Sequence, residues 1–237
     1  MTDYLKEFNT ILRDLDYSKN TVTKFSDFLS LSAYSLAQPF YNSKEIEEKY
    51  KDVSKNYSLP QLEKFAHLIA IVTLALEEKM QDFLGQIFMS NDMGSGYKGQ
   101  FFTPYHVSKL MSEMVGYNVK VDLENKEIIT LSEPCCGSGG MVIAFADSMK
   151  ESGYNYQKNL FVEAIDIDDL CYKMTYIQLA LLGIPARVIK GNTITMDFQE
   201  VLYTPMFFIN NIAGKLSERT KENLGNITTN QLNLFKI

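Results

Sequence analysis

The sequence predicts an α/β protein in which a helical N-terminal region precedes an abbreviated, parallel, doubly wound sheet. Apolar residues recur at helical spacing before Gly99, and short apolar segments alternate with helix-like stretches after it. That alternation indicates parallel strands joined by crossover helices. We therefore expect a helical region at 1–95, a ligand-binding domain at 96–211 and a polar tail at 212–237 that has little apolar surface to bury.

Helices account for the whole N-terminal region. From Tyr4 to about Tyr57 the chain is polar and aromatic with helically spaced apolar residues, which predicts two or three helices. A stronger helix is predicted from Gln61 to Met89, because a wide apolar stripe runs along it and neither Gly nor Pro intrudes before Gly85.

The second region alternates strands and helices, and its parallel strands are expected to end at one edge of the sheet, where open α/β sheets bind ligands. Helices are predicted at Thr103–Val115, Gly140–Glu151 and Asp169–Leu182. Strands are predicted at Glu127–Ser132, Leu160–Asp166 and Ala186–Lys190, with a further candidate around Val201–Phe208.

Composition excludes several classes of protein. The 237 residues are 46% apolar, which suits an ordinary globular core and excludes a disordered chain. No apolar run reaches the eighteen or so residues of a membrane span, so a cytoplasmic protein with no membrane partner is expected. A net charge of −6 argues against a large basic face that grips DNA unaided. Three cysteines, without a second Cys/His pair nearby, predict neither a disulfide framework nor a metal site.

A glycine-rich turn carries the clearest chemical signal. The segment Glu133-Pro134-Cys135-Cys136-Gly137-Ser138-Gly139-Gly140 follows a predicted strand and opens a helix. Glycines there let the backbone approach a ligand closely, whereas Val142 stands where a dinucleotide fingerprint would have its third glycine. The acidic Glu133 before the turn favours a ligand with an amino group, such as S-adenosylmethionine, which carries an ammonium and a sulfonium. A tight turn without a ligand is the less favoured alternative.

Polar residues follow the next two predicted strands. Asp166 ends one strand and is a candidate bidentate acceptor for both ribose hydroxyls, with Ile167 against one face of an adenine. Asp168 is better explained as the N-cap of the following helix. Asn192, in Gly191-Asn192-Thr193, either pairs with the adenine edge or forms an ordinary Gly-Asn turn.

These segments together resemble the N-6 adenine DNA methylase family, typified by the modification subunit of type I restriction systems. The resemblance covers about Gln81 to Thr193 and implies a Rossmann-like, S-adenosylmethionine-dependent methyltransferase fold that acts on DNA adenine, in restriction-modification or in a phage or mobile element. Its segments are Asp82-Phe83-Leu84-Gly85, Gly99-Gln100-Phe101-Phe102-Thr103-Pro104, Glu133 to Gly140, Ile165-Asp166-Ile167 and Gly191-Asn192-Thr193. The family packs the second of these over the methionine end of the cofactor, so Phe101, Phe102, Thr103 and Pro104 become candidate cofactor contacts.

The sequence departs from this family at the residues that hold the target base. The family uses Asn-Pro-Pro-Phe or Asn-Pro-Pro-Tyr after its fourth strand, and the corresponding region here offers only Thr204, Pro205 and Phe207 as candidates. A Thr hydroxyl accepts a hydrogen bond but reaches less far than an Asn amide. The alternative function is therefore a catalytically impaired, S-adenosylmethionine-binding adaptor acting through partners. Methyl transfer to a protein or small molecule is a third possibility.

The last residues of the chain suggest a partner. Gln231, Leu232, Leu234 and Phe235 resemble the pentapeptide with which bacterial proteins dock on the replication sliding clamp. Packing of these apolar residues against the protein's own core is an equally good explanation.

Overall fold

The computed structural model describes residues 3–93, 101–125 and 127–217. A four-stranded mixed sheet in the order β1-β2-β3-β4 lies among ten helices in these ranges, and residues 212–217 are also helical. The strands are β1 (Ile129–Glu133), β2 (Leu160–Asp166), β3 (Ala186–Asn192) and β4 (Asp197–Tyr203). The helices are α1 (Tyr4–Arg13), α2 (Thr21–Tyr41), α3 (Lys44–Ser54), α4 (Leu59–Glu78), α5 (Phe83–Ser90), α6 (Tyr105–Asn125), α7 (Gly140–Glu151), α8 (Tyr156–Asn159), α9 (Asp169–Leu181) and α10 (Pro205–Ile209).

The predicted α/β class is confirmed, and three of its strands are parallel. Ile129 pairs with Leu160 at the start of β1 and β2, and Val162 pairs with Ala186 at the start of β3. Helices α7 and α9 supply the two crossovers. The carboxyl ends of β1, β2 and β3 therefore lie at one edge of the sheet.

The fourth strand corrects the prediction of an all-parallel sheet, because β4 runs antiparallel to β3. Only residues 193–196 separate the two strands, whereas a parallel crossover needs a dozen or more residues. Gly191 permits the hairpin to close: the register shifts between Lys190 and Gly191, and a Cβ at Gly191 would lie 2.5 Å from the Asp197 carbonyl oxygen. The predicted strand at 201–208 correspondingly ends at Tyr203, and α10 occupies the rest.

The helical region shares one hydrophobic core with the sheet. Phe8 on α1 packs against Phe28 on α2 and Phe83 on α5, with ring centroids 5.2 Å and 6.1 Å away. The same core continues through Tyr172 of α9, which is fully buried, to Val162 of β2. Burial of these apolar side chains is the main force that holds the two regions together.

The single helix predicted over Gln61–Met89 is two helices. Helix α4 ends where Lys79 becomes extended, and the Gln81 side chain donates to the Ala75 carbonyl there at 2.8 Å. Asp82 then caps α5 by accepting from the Gly85 N–H at 3.0 Å. Among the described residues α4 alone is long and apolar enough to cross a membrane. Core helices of soluble proteins share these properties, and part of α4 is buried here, including Leu68 and Val72.

Most other boundaries shift by a few residues, but α6 ends at Asn125, ten residues beyond the predicted Val115. Helix α6 begins at Tyr105, because the Pro104 carbonyl accepts from the Val107 and Ser108 N–H groups. The first residues of the predicted tail, 212–217, are helical, and Ile212 among them is fully buried.

Candidate cofactor site

The turn between β1 and α7 holds two residues in the left-handed backbone region. Gly137 has φ +56° and Gly139 has φ +91°, values that glycine adopts without the steric cost of a Cβ. The Cys136 N–H donates to the Ile165 carbonyl at 2.9 Å, which ties the turn to the end of β2. Cys136 is itself buried, whereas Cys135 is exposed at the rim of the turn. The sequence thus folds into a tight turn at the carboxyl edge of the sheet, in which Gly137 is partly exposed.

Phe102 packs directly against this turn. A Cβ on Gly137 would lie 3.0 Å from Cδ1 of Phe102, so only glycine allows this approach. The Phe102 ring also lies 5.0 Å from the Phe88 ring of α5, which fixes it on the core side. Phe101 is 75% exposed beside it, and Thr103 and Pro104 are exposed residues that lead into α6. The structure therefore places the predicted segment 101–104 beside the turn, with Phe102 making the contact.

Asp166 at the end of β2 reaches the same turn. One carboxylate oxygen accepts from the Gly137 N–H at 2.8 Å, and the other accepts from the Asp168 N–H at 2.9 Å. Burial raises the pKa of Asp166, and the hydrogen bonds from the Asp168 and Gly137 N–H groups oppose this shift. Ile167 follows with 62% of its surface exposed, an apolar face open to a ligand. The N-cap assignment of Asp168 is confirmed, since its side chain accepts from the N–H groups of Leu170 and Cys171.

Glu133 adds a second carboxylate to this corner. It is half-buried at the end of β1 and accepts from the Cys135 N–H at 3.4 Å. Burial raises its pKa, and the nearby negative charge of Asp166 raises it further. Within residues 3–93, 101–125 and 127–217, neither Glu133 nor Asp166 has a Lys or Arg partner. Among the described residues the two carboxylates therefore lie near each other without a compensating cation, an arrangement that favours a cationic ligand.

Asn192 sits at the third strand end but its side-chain oxygen is occupied. It accepts from the Ile194 N–H at 2.9 Å and from the Thr195 N–H at 3.3 Å, the pattern of a Gly-Asn turn. The adjacent Thr193 hydroxyl donates to the Pro134 carbonyl at 2.6 Å and so joins this hairpin to the glycine turn. Asn192 is close to the site, and its side-chain oxygen makes the hydrogen bonds expected of a Gly-Asn turn.

Several turn residues face inward, toward groups to which sequence reasoning gave no role. The Ser138 side chain is 2% exposed and donates to Asp82, and Gly140 is buried at the start of α7. Thr175 of α9 donates to the Gly137 carbonyl at 2.9 Å. The available sequence signal for these contacts was the position of the polar Thr175 and Gln178 among the apolar residues of the second half of α9.

Thr204, Pro205 and Phe207 are not brought to this corner. The Thr204 hydroxyl is fully buried, accepts from the Ala186 N–H at 2.9 Å and donates to the Ile184 carbonyl at 2.7 Å. Ala186 begins β3, so these residues lie at the amino edge of the parallel strands, roughly 20 Å along the sheet from the carboxyl edge. The reason is the antiparallel course of β4, which carries the chain back to that edge. The predicted clamp residues Gln231, Leu232, Leu234 and Phe235 lie outside the described residues.

Comparison with known proteins places this architecture in a family. The model of the N-6 DNA Methylase family matches residues 79–216, more than half of the chain. A curated relative, the type I restriction enzyme MjaIX methylase subunit of Methanocaldococcus jannaschii, is 24% identical over 153 residues, a match that covers 58% of this chain and 26% of the relative. The chain thus spans about a quarter of that relative's length.

A solved structure from Listeria monocytogenes, described as a class I S-adenosylmethionine-dependent methyltransferase, matches 78% of this chain and 52% of its own. Its sequence identity is 14% and its TM-score is 0.40. The match of the family model includes the turn, both carboxylates and the segment at 101–104, in agreement with the resemblance found in the sequence. The chain belongs to the N-6 DNA methylase family.

Proposed function

We propose that this chain is an S-adenosylmethionine-dependent DNA methyltransferase of the adenine-N6 type, or the cofactor-binding part of one. The observation that carries the proposal is the corner formed by Glu133, Asp166 and the glycine turn, where two half-buried carboxylates have no cationic partner among the described residues. S-adenosylmethionine brings a sulfonium and an ammonium, so its charge complements this corner. Family membership supports the same cofactor.

Each part of the cofactor has a suitable group in this corner. Glu133 is suited to accept hydrogen bonds from the ammonium, and the turn at Gly137 lets the backbone approach the ligand. Asp166 keeps unused lone pairs for the ribose hydroxyls, and the exposed Ile167 offers an apolar face to the adenine. The Phe102 ring packs against the turn at Gly137. When bound, the cofactor supplies an activated methyl group.

DNA is the proposed substrate, with help from another subunit. A net charge of −6 gives no overall attraction for a polyanion such as DNA, and the curated relative is by its name one subunit of a restriction enzyme. We place the protein in the cytoplasm and keep the sliding clamp as a candidate partner of residues 231–235. The second candidate function is a cofactor-binding adaptor. The position of Thr204 at the opposite edge favours it, because the base-holding group would then come from another polypeptide.

Calorimetric titration with S-adenosylmethionine tests the cofactor site. Asp166→Ala removes the acceptor and the bond to Gly137, so we expect binding to be lost. Asp52→Ala removes an exposed carboxylate of α3 and serves as the control, with unchanged affinity. Wild-type protein that is folded and does not bind would refute the site.

Methyl transfer is then tested with labelled cofactor and adenine-containing DNA, alone and with a cell extract as the source of missing subunits. Label in DNA supports the enzyme. Binding without label in any acceptor supports the adaptor.

A further inference from the structure

A buried polar cluster lies directly behind the glycine turn. Asp82, the N-cap of α5, is 6% exposed, and its side-chain carboxylate accepts three hydrogen bonds from described residues. Its donors are the Ser138 hydroxyl at 2.5 Å, the Gln178 amide at 2.9 Å and the Gly85 N–H at 3.0 Å. Helix α5, the turn and helix α9 therefore meet at one carboxylate.

Gln178 also belongs to the cluster and makes a second contact to the turn. Its amide nitrogen also donates to the Ser138 carbonyl at 2.7 Å, and its oxygen accepts from the Leu84 N–H at 3.0 Å. Ser138 is thus held through both its side chain and its backbone. The two glycines beside it, Gly137 and Gly139, have the freest backbones of any residue type, so the contacts to Ser138 restrain the turn in addition to those that Asp166 and Thr175 make to Gly137.

Burial of this polar cluster has a high free-energy cost, so it is a poor means of stabilising the fold. A buried carboxylate loses its hydration, and among the described residues no Lys or Arg pairs with Asp82 to compensate. The space around it is closely fitted as well. A Cβ on Gly85 would overlap the Asp82 carboxylate, and one on Gly140 would lie 3.1 Å from it. The start of α7 at Gly140 contributes a favourable helix dipole toward the carboxylate.

We propose that Asp82 is a positioning residue that acts through Ser138 and Gln178 to hold the glycine turn in its cofactor-binding conformation. The inference rests on the proposed function, since it assigns Asp82 a role in the same site. Its physical basis is preorganisation: a turn that is already fixed loses less conformational entropy when the ligand binds. The helical N-terminal region is thereby a direct support of the site, because Asp82 belongs to α5.

Affinity for S-adenosylmethionine, measured by calorimetry on the full chain, tests the role of Asp82. We expect Ser138→Ala and Asp82→Ala to weaken binding by about tenfold or more, because each releases the turn. Ser148→Ala is the matched control, since Ser148 is also a buried, hydrogen-bonded serine but pairs with Ser112 in the α6–α7 contact. Its affinity should equal that of the wild type.

Asp82→Asn provides the conservative rescue. The asparagine oxygen still accepts from Gly85 and Gln178, and its amide donates to the Ser138 hydroxyl, so the geometry is retained while the charge is removed. We expect affinity within about threefold of the wild type, a small change on the binding free-energy scale. A need for the charge itself would instead make Asn as poor as Ala and overturn the positioning role.

Hydrogen exchange of the amides at 137–140, measured without cofactor, gives an independent readout. Exchange should accelerate in Ser138→Ala and stay at the wild-type rate in Ser148→Ala. Unchanged exchange and affinity in both Ser138→Ala and Asp82→Ala, with a wild type that binds, would overturn this inference alone. A wild type that does not bind would overturn the proposed function, and with it the cofactor role assigned to Asp82.

Discussion

Replacing Gly137 with alanine tests whether the turn binds its ligand through close backbone approach. The substitution forces an L-residue to φ +56°, which costs about 1–2 kcal/mol. It also places a Cβ 3.0 Å from the Phe102 ring, which must then shift slightly where it packs against Phe88. Gly153→Ala is a matched control, because Gly153 has φ +82° and a Cβ there would meet nothing within 4 Å.

Both variants should lose stability through backbone strain, Gly137→Ala at least as much as Gly153→Ala, and only Gly137→Ala should lose binding. A cost of 1–2 kcal/mol corresponds to a fall of about 2–8 °C in the unfolding temperature of a chain of this size. In calorimetric titration with S-adenosylmethionine, Gly137→Ala should bind about tenfold more weakly or worse, which is ~1.4 kcal/mol, while Gly153→Ala keeps wild-type affinity. Equal affinities for the two variants would refute the close-approach explanation of the turn.

Three further predictions concern stability. Thr204→Val leaves the Ala186 N–H and the Ile184 carbonyl without their buried partner, so urea unfolding should show a loss of about 1–3 kcal/mol. Its cofactor affinity should be unchanged, and a large loss of affinity would contradict the structural role of Thr204. Phe8→Ala should cost about 3–5 kcal/mol in the same assay because the side chain is fully buried, and a cost below 1 kcal/mol would mean that the helical region packs loosely. Burial raises the pKa of Asp82 above 3.8, so the wild type loses stability as pH rises from 3.8 through the raised value, and Asp82→Asn should gain relative to it over that window. A difference in unfolding free energy that is constant with pH would exclude this titration.

The local sequence was sufficient to predict the structure wherever interactions between neighbouring residues determine it. Gly137 and Gly139 predict the turn because few other residues adopt positive φ, and the turn forms where they stand. Asp168 predicts the start of α9 because a carboxylate satisfies free helix N–H groups. The carboxyl-edge grouping of Glu133, Asp166 and Asn192 followed from the parallel order of the first three strands.

Tertiary structure decided the features that depend on distant partners. An apolar run such as 201–208 carries no strand direction, and β4 became antiparallel because residues 193–196 are too few for a crossover. That reversal took Thr204 away from the site. Asp82 and Gln178 are 96 residues apart in the chain, and their contact exists only because α5 and α9 pack around the glycine turn. Sequence therefore determined the glycine turn and its acidic neighbours, whereas the sheet direction and the buried support of the turn came from packing between segments that no local pattern connects.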